Sequence, residues 1–260
     1  MKKINKSSMF AIACTAFMGA FGNSHATAAT LNLANSGLQN GTLNGAFFQE
    51  IDPNDPAGTG VLNSFVRLQS PGNSTVEEGY NTDGSLQFNE MSGNFTRSLK
   101  LSDVPIFTIG GVKYRQFVLD INEKNAKDEP LIDLEKLQIF LGNAGNLVNY
   151  PTFGGNAVKI FDLDGNEDNT VKLRDTNAGS GRADLLTYIP DSLFSGPNQY
   201  VYLYSKFSGA EGGFEEWAVQ VKEKPDTPPK SVPEPAALAG LGLVAGAMTF
   251  ARRRKSSQTA

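Results

Sequence analysis

The run Asp162-Leu163-Asp164-Gly165-Asn166-Glu167-Asp168 places oxygen-bearing side chains at alternate positions. Calcium takes six to eight oxygen ligands, and an EF-hand loop supplies several of them at this spacing. Asp162, Asp164, Asn166 and Asp168 are therefore candidate calcium ligands, and calcium is the one cofactor the sequence suggests. The run departs from an EF-hand in three ways. Glu167 takes the usual glycine position, Gly165 comes one residue early, and Leu173 stands where a bidentate glutamate belongs. The competing reading is a polar hairpin turn joining strands at Ile160 and Val171, because Asx and Gly residues favour turns. Asp120, Asn122 and Glu123 form a second acidic set at a strand end.

Tyr200, Tyr202 and Tyr204 alternate, so on a strand they share one face, with Val201, Leu203 and Phe207 on the other. An exposed tyrosine row would stack on sugar rings through its apolar faces and hydroxyls. Tyrosine also favours strands and covers half-buried faces. Trp217, the sole tryptophan, shares parity with Val219 and Val221 and is expected in the core. A two-carboxylate glycosidase needs a specific acidic pair. With 27 acidic residues, the sequence singles out none. Gly179-Ser180-Gly181 lacks the flanks of a nucleotide-binding loop.

The elements that must position these residues read as β-strands. Gly110-Gly111 between Pro105–Ile109 and Val112–Ile121 signals a two-residue hairpin. Thr42–Ile51, Val61–Gln69, Leu137–Leu141, Ala157–Phe161 and Thr170–Leu173 are further strands. Tyr200–Phe207 and Phe214–Lys222 are read as a final pair, with Gly209, Gly212 and Gly213 in its turn. One short helical turn is placed within Pro130–Gln138, and no internal repeat is present. The expectation is an all-β single domain, an antiparallel sandwich or jelly roll, flanked by an N-terminal signal helix and a C-terminal hydrophobic helix.

The ends differ from the middle. Lys2, Lys3 and Lys6 precede the uncharged run Ser8–Phe21, and small residues follow at Ser24-His25-Ala26-Thr27-Ala28. That order is a secretory signal, with signal-peptidase cleavage after Ala26 or Ala28. Cys14 and His25 are the chain's single cysteine and histidine. Cleavage removes both, and with them any Cys nucleophile, Ser-His-Asp triad or disulfide. Of 23 basic residues, three lie in the leader and four in Arg252–Lys255, leaving 16 against 27 acidic. Such a surface repels nucleic acid, so none is expected as a partner. The expected division is a signal peptide over 1–28, a β domain over 29–222, a Pro-rich spacer over 223–231 and a sorting tail over 232–260.

That tail reads Val232-Pro233-Glu234-Pro235, then uncharged Ala236–Phe250, then Arg252-Arg253-Arg254-Lys255. As a helix the apolar stretch would rise roughly 22 Å, short of the about 30 Å hydrocarbon core. Gly240, Gly242 and Gly246 weaken it. The basic cluster stays cytoplasmic by the positive-inside rule. The three-part pattern resembles the PEP-CTERM sorting signal of Gram-negative bacteria.

The resemblance covers about a tenth of the chain. It implies recognition at Val232, Pro233, Glu234 and Pro235, with Arg252, Arg253 and Arg254 as the basic stop, and processing by an exosortase, an integral-membrane protease. It further implies an inner-membrane-tethered precursor, then release to the cell surface or matrix, where members of the family are linked to exopolysaccharide or biofilm. Phe117–Glu123 and Gly213–Trp217 look like segments of other exported PEP-CTERM proteins. The resemblance assigns no catalytic residue. The reading is a non-catalytic exported surface or matrix protein, with polysaccharide as its partner. The alternatives are a secreted glycoside hydrolase and a ligand-free structural module.

Overall fold

Asn44-Gly45 and Gly110-Gly111 each turn the chain in two residues, and all four have positive φ. That geometry matches the right-handed twist of the strands it joins. The first turn links β2 (Asn40–Leu43) to β3 (Ala46–Glu50), and the second links β7 (Ile106–Ile109) to β8 (Val112–Asn122). Thr42–Ile51 is thus a hairpin, where the sequence reading has one strand. The computed structural model describes residues 28–52, 62–72, 74–123, 131–165, 167–176, 181–211 and 213–220. Ala26, Asn166, the spacer and the tail from Val232 to Ala260 lie outside them.

The remaining strands are β1 (Thr30–Asn32), β4 (Leu62–Leu68), β5 (Val76–Tyr80), β6 (Leu99–Lys100), β9 (Leu131–Gly142) and β10 (Ala157–Asp162). They are followed by β11 (Thr170–Arg174), β12 (Leu185–Pro190), β13 (Tyr200–Ser208) and β14 (Phe214–Gln220). One sheet runs β1-β11-β9-β13-β5, with β10 also on β9 and β6 on β13. The other runs β2-β3-β12-β8-β14-β4, with β7 on β8. Pairing is antiparallel except between β1 and β11. The chain is all-β, and its described helices are single 3-10 turns.

Both sheets contribute to one apolar cluster. Leu137, Ile139, Val201, Leu203 and Phe207 come from the first, and Phe48, Phe65, Phe117, Leu119 and Trp217 from the second. Burying each large apolar side chain stabilises by roughly 1.5–3 kcal/mol. Trp217 is in the core, as its parity indicates.

Three expectations fail. The helical turn within Pro130–Gln138 is strand: β9 starts at Leu131 and pairs with β11 and β13. β13 and β14 are not paired with each other but lie in different sheets, so the chain changes sheet between them. β10 and β11 do not form a hairpin either. β10 pairs with Gln138–Gly142 of β9 and β11 with Leu131–Leu134, so they follow one another along the same edge.

Candidate functional site

The tyrosine row is where alternation puts it, and a loop covers it. Tyr202 and Tyr204 are 1% and 3% exposed, and Tyr200 is half-buried. Residues 143–156 fold across this outer face of β13 and β9, bringing Leu147, Tyr150 and Phe153 onto it. Tyr150 stacks on Tyr204 with ring centroids 4.0 Å apart, and Phe153 lies 4.9 Å from Tyr202. Tyr80 and Phe140 complete the cluster. The Tyr202 hydroxyl donates to Ala144 O at 2.6 Å and accepts from Leu147 N–H at 2.9 Å. Burial pushes the Tyr202 phenol up to about 12. Tyr202 and Tyr204 therefore form a second small core rather than an exposed platform for a sugar.

The acidic run is spoken for by the fold. Asp162 Oδ2 accepts from Lys159 Nζ at 2.6 Å and from Gln138 Nε2 at 2.9 Å, while its Oδ1 accepts from Asp164 N–H. Asp164 accepts from Asn169 N–H and lies 3.4 Å from Lys136 Nζ. Asn169 is buried, donates to Leu163 O and Asp164 O, and accepts from Ala29 N–H. Asp168 is exposed, and Asn166 lies outside the described residues. The loop is a hydrogen-bonded bridge between collinear strands, and two of its carboxylates already face lysines. Among the described residues, no three acidic, histidine or cysteine side chains already stand around a common metal-sized point. Ala28, one of the two cleavage candidates, is exposed just before β1.

Sequence reasoning missed the open groove beside β4. Its volume is about 760 Å³. Asn63, Ser64 and Arg67 form one wall, Thr82–Gly84 and Leu86 another, and Ser92–Arg97 the third. Arg97 closes one end, donating to Asn63 Oδ1 at 2.6 Å and to Ser64 O at 3.0 Å. The Arg67 guanidinium lies between two rings, 3.9 Å from the centroid of Phe95 and 4.1 Å from that of Phe214. It also pairs with Glu216. Phe95 and Leu86 are exposed at the rim. An apolar rim over amide, hydroxyl and guanidinium groups suits a polar ligand with an apolar face, such as a sugar. The groove was invisible in sequence because its walls come from three separate segments, 63–67, 82–86 and 92–97, that share no motif.

Asp120 and Glu123 do not act together as the second acidic set. Asp120 sits beneath the segment containing Gly181, whose N–H it accepts at 2.6 Å. Glu123 turns toward Glu215 on the core side. Burial, followed by the neighbouring Glu216 and Asp175, pushes the Asp120 carboxyl up to about 7. Among the described residues, no helix is long and apolar enough to cross a membrane. No family model, no curated protein and no solved structure matches this chain.

Proposed function

We propose that the protein is an exported, non-catalytic surface or matrix protein, delivered by its leader and processed by an exosortase at its tail. The observation that carries this reading is the ordered tail Val232-Pro233-Glu234-Pro235, apolar Ala236–Phe250 and Arg252–Lys255. The described β domain ends at Gln220, ahead of the Pro-rich spacer, so the tail follows the folded unit in the order a membrane protease needs. We read the two facing sheets as a β-sandwich. Glycan contact moves from the buried tyrosine row to the groove, with Phe95 as the ring platform and Asn63, Asn94 and Arg97 as polar contacts.

The glycoside hydrolase alternative is the weaker one. Asp83 is the single carboxylate lining the groove, and its Oδ1 accepts from Ser98 N–H at 2.7 Å. Two flanking carboxylates are needed for that chemistry.

Expressed in a host with an exosortase, wild-type protein should be released in shortened form. Glu234→Ala should leave full-length precursor in the inner membrane. Normal processing of Glu234→Ala ends the sorting proposal. Glycan-array binding that survives Phe95→Ala ends the assignment of the groove.

A further inference from the structure

Arg97, on one wall of the groove, is a half-buried cation without a counter-ion. Its Nε donates to Ser64 O at 3.0 Å, its Nη1 to Ser98 O at 3.1 Å and its Nη2 to Asn63 Oδ1 at 2.6 Å. All three acceptors are neutral. Among the described residues, no carboxylate stands within ion-pairing distance of it. Other half-buried arginines differ: Arg67 faces Glu216, Arg115 faces Asp191 and Arg174 faces Glu50. Acidic residues outnumber basic ones 27 to 23, so the difference is not a shortage of carboxylates. A guanidinium has five N–H groups, and three hydrogen bonds leave two of them unspent.

Arg97 also sets the orientation of Asn63. Arginine only donates, so the Asn63 oxygen faces it and the Asn63 Nδ2 is turned away, adding two more N–H donors to the wall. Thr96, on the same wall, is 7% exposed, and its hydroxyl has no partner. Buried hydroxyls are normally matched. Asp83, the carboxylate on another wall, accepts from Ser98 N–H instead of pairing with Arg97. The Arg97 wall is therefore rich in donors and carries an unanswered positive charge. A planar carboxylate takes two parallel N–H bonds from a guanidinium, and such charge-assisted bonds are about twice as strong as neutral ones. Phe95, exposed at the rim, offers a flat apolar face to a sugar ring. A pyranose bearing a carboxylate meets both demands in one residue, whereas a neutral sugar leaves the charge unanswered. The acidic surface elsewhere repels polyanions, so selectivity for one has to come from this wall.

Resting on the assignment of the groove to a glycan, we propose that its ligand is an acidic polysaccharide. Arg97 and the Asn63 amide hold the carboxylate of a uronic acid residue, and the ring of that residue lies on Phe95.

The test is an oligosaccharide array probed with the purified full-length protein. Each uronic acid-containing chain is printed beside its carboxyl-reduced form, and sulfated neutral-sugar chains make a third set. Wild type should bind uronate chains and lose about 10-fold or more in affinity when the carboxyls are reduced. Arg97→Gln should lose that preference. Asn63→Asp gives Arg97 a counter-ion within the protein. It should melt no lower than wild type and still lose uronate binding, so it decides the matter should Arg97→Gln fail to fold. Binding indifferent to carboxyl reduction, binding of sulfated chains alone, or uronate binding retained in Asn63→Asp overturns the acidic ligand. The groove itself stands in those cases if Phe95→Ala abolishes binding. Absence of binding to every chain, or binding that survives Phe95→Ala, overturns the groove and this inference with it.

Discussion

The indole N–H of Trp217 donates to Ser205 Oγ at 2.9 Å, and the two residues belong to opposite sheets. Both are fully buried. The bond is a polar tie between the sheets, and it fixes how β13 and β14 face each other. Ser205→Ala leaves a buried N–H without a partner, which costs about 1–3 kcal/mol. Urea unfolding followed by the fluorescence of this single tryptophan should show a lower midpoint with an unchanged slope. A midpoint equal to that of the wild type would show that the tie contributes nothing.

Tyr202→Phe tests the covered aromatic face. The ring stays, but Leu147 N–H and Ala144 O both lose the hydroxyl. A loss of about 1–3 kcal/mol is expected. It should appear as faster amide exchange at Leu147 before global unfolding. Glycan binding should not change, since the row is not at the surface.

Arg67→Ala removes the partner of a buried carboxylate, as Arg67 and Glu216 side chains are 14% and 6% exposed. Breaking such a pair costs about 3–5 kcal/mol. Arg67→Lys keeps the charge but not the flat guanidinium between Phe95 and Phe214, so it should recover only part of the loss. Thermal melts of the three proteins give the order wild type, Lys, Ala. Equal melting temperatures for Lys and wild type would show that the stacking adds no stability.

Asp120 should make stability fall as pH rises. Its folded carboxyl titrates near 7 against a reference of 3.8, chiefly through burial. Between those values the folded state holds more protons than the unfolded state, so the slope of stability with pH is negative there. Each pKa unit is worth about 1.4 kcal/mol. Asp120→Asn keeps the acceptor for Gly181 N–H and never ionises. It should be more stable than wild type at pH 8, with the difference shrinking toward pH 5. Melts without divalent cations check this, and a constant difference across pH would contradict it.

Much of the fold could be read locally. Gly110-Gly111 set the β7–β8 register because only residues tolerant of positive φ make that turn. The alternation through Val201, Leu203 and Phe207, and through Trp217 and Val219, assigned their faces correctly because strand parity is a property of the backbone. β5 was not legible. Val76-Glu77-Glu78-Gly79-Tyr80 looks like a loop, yet Gly79 lets Leu68 and Glu90 approach where a Cβ would sit 2.7 Å from each, and pairing with β13 makes it a strand.

The sequence by itself determined the β class and the parity of the strands around Leu203 and Trp217, since these depend on neighbours a few residues apart, and it carries the export labels as an expectation. Tertiary structure alone decided that β13 and β14 part into different sheets, that residues 143–156 bury the tyrosines, and that Glu77, Glu123 and Glu215 meet. Those outcomes depend on contacts between residues up to 138 positions apart, and no local period encodes which distant carboxylates will share a space from which water is excluded.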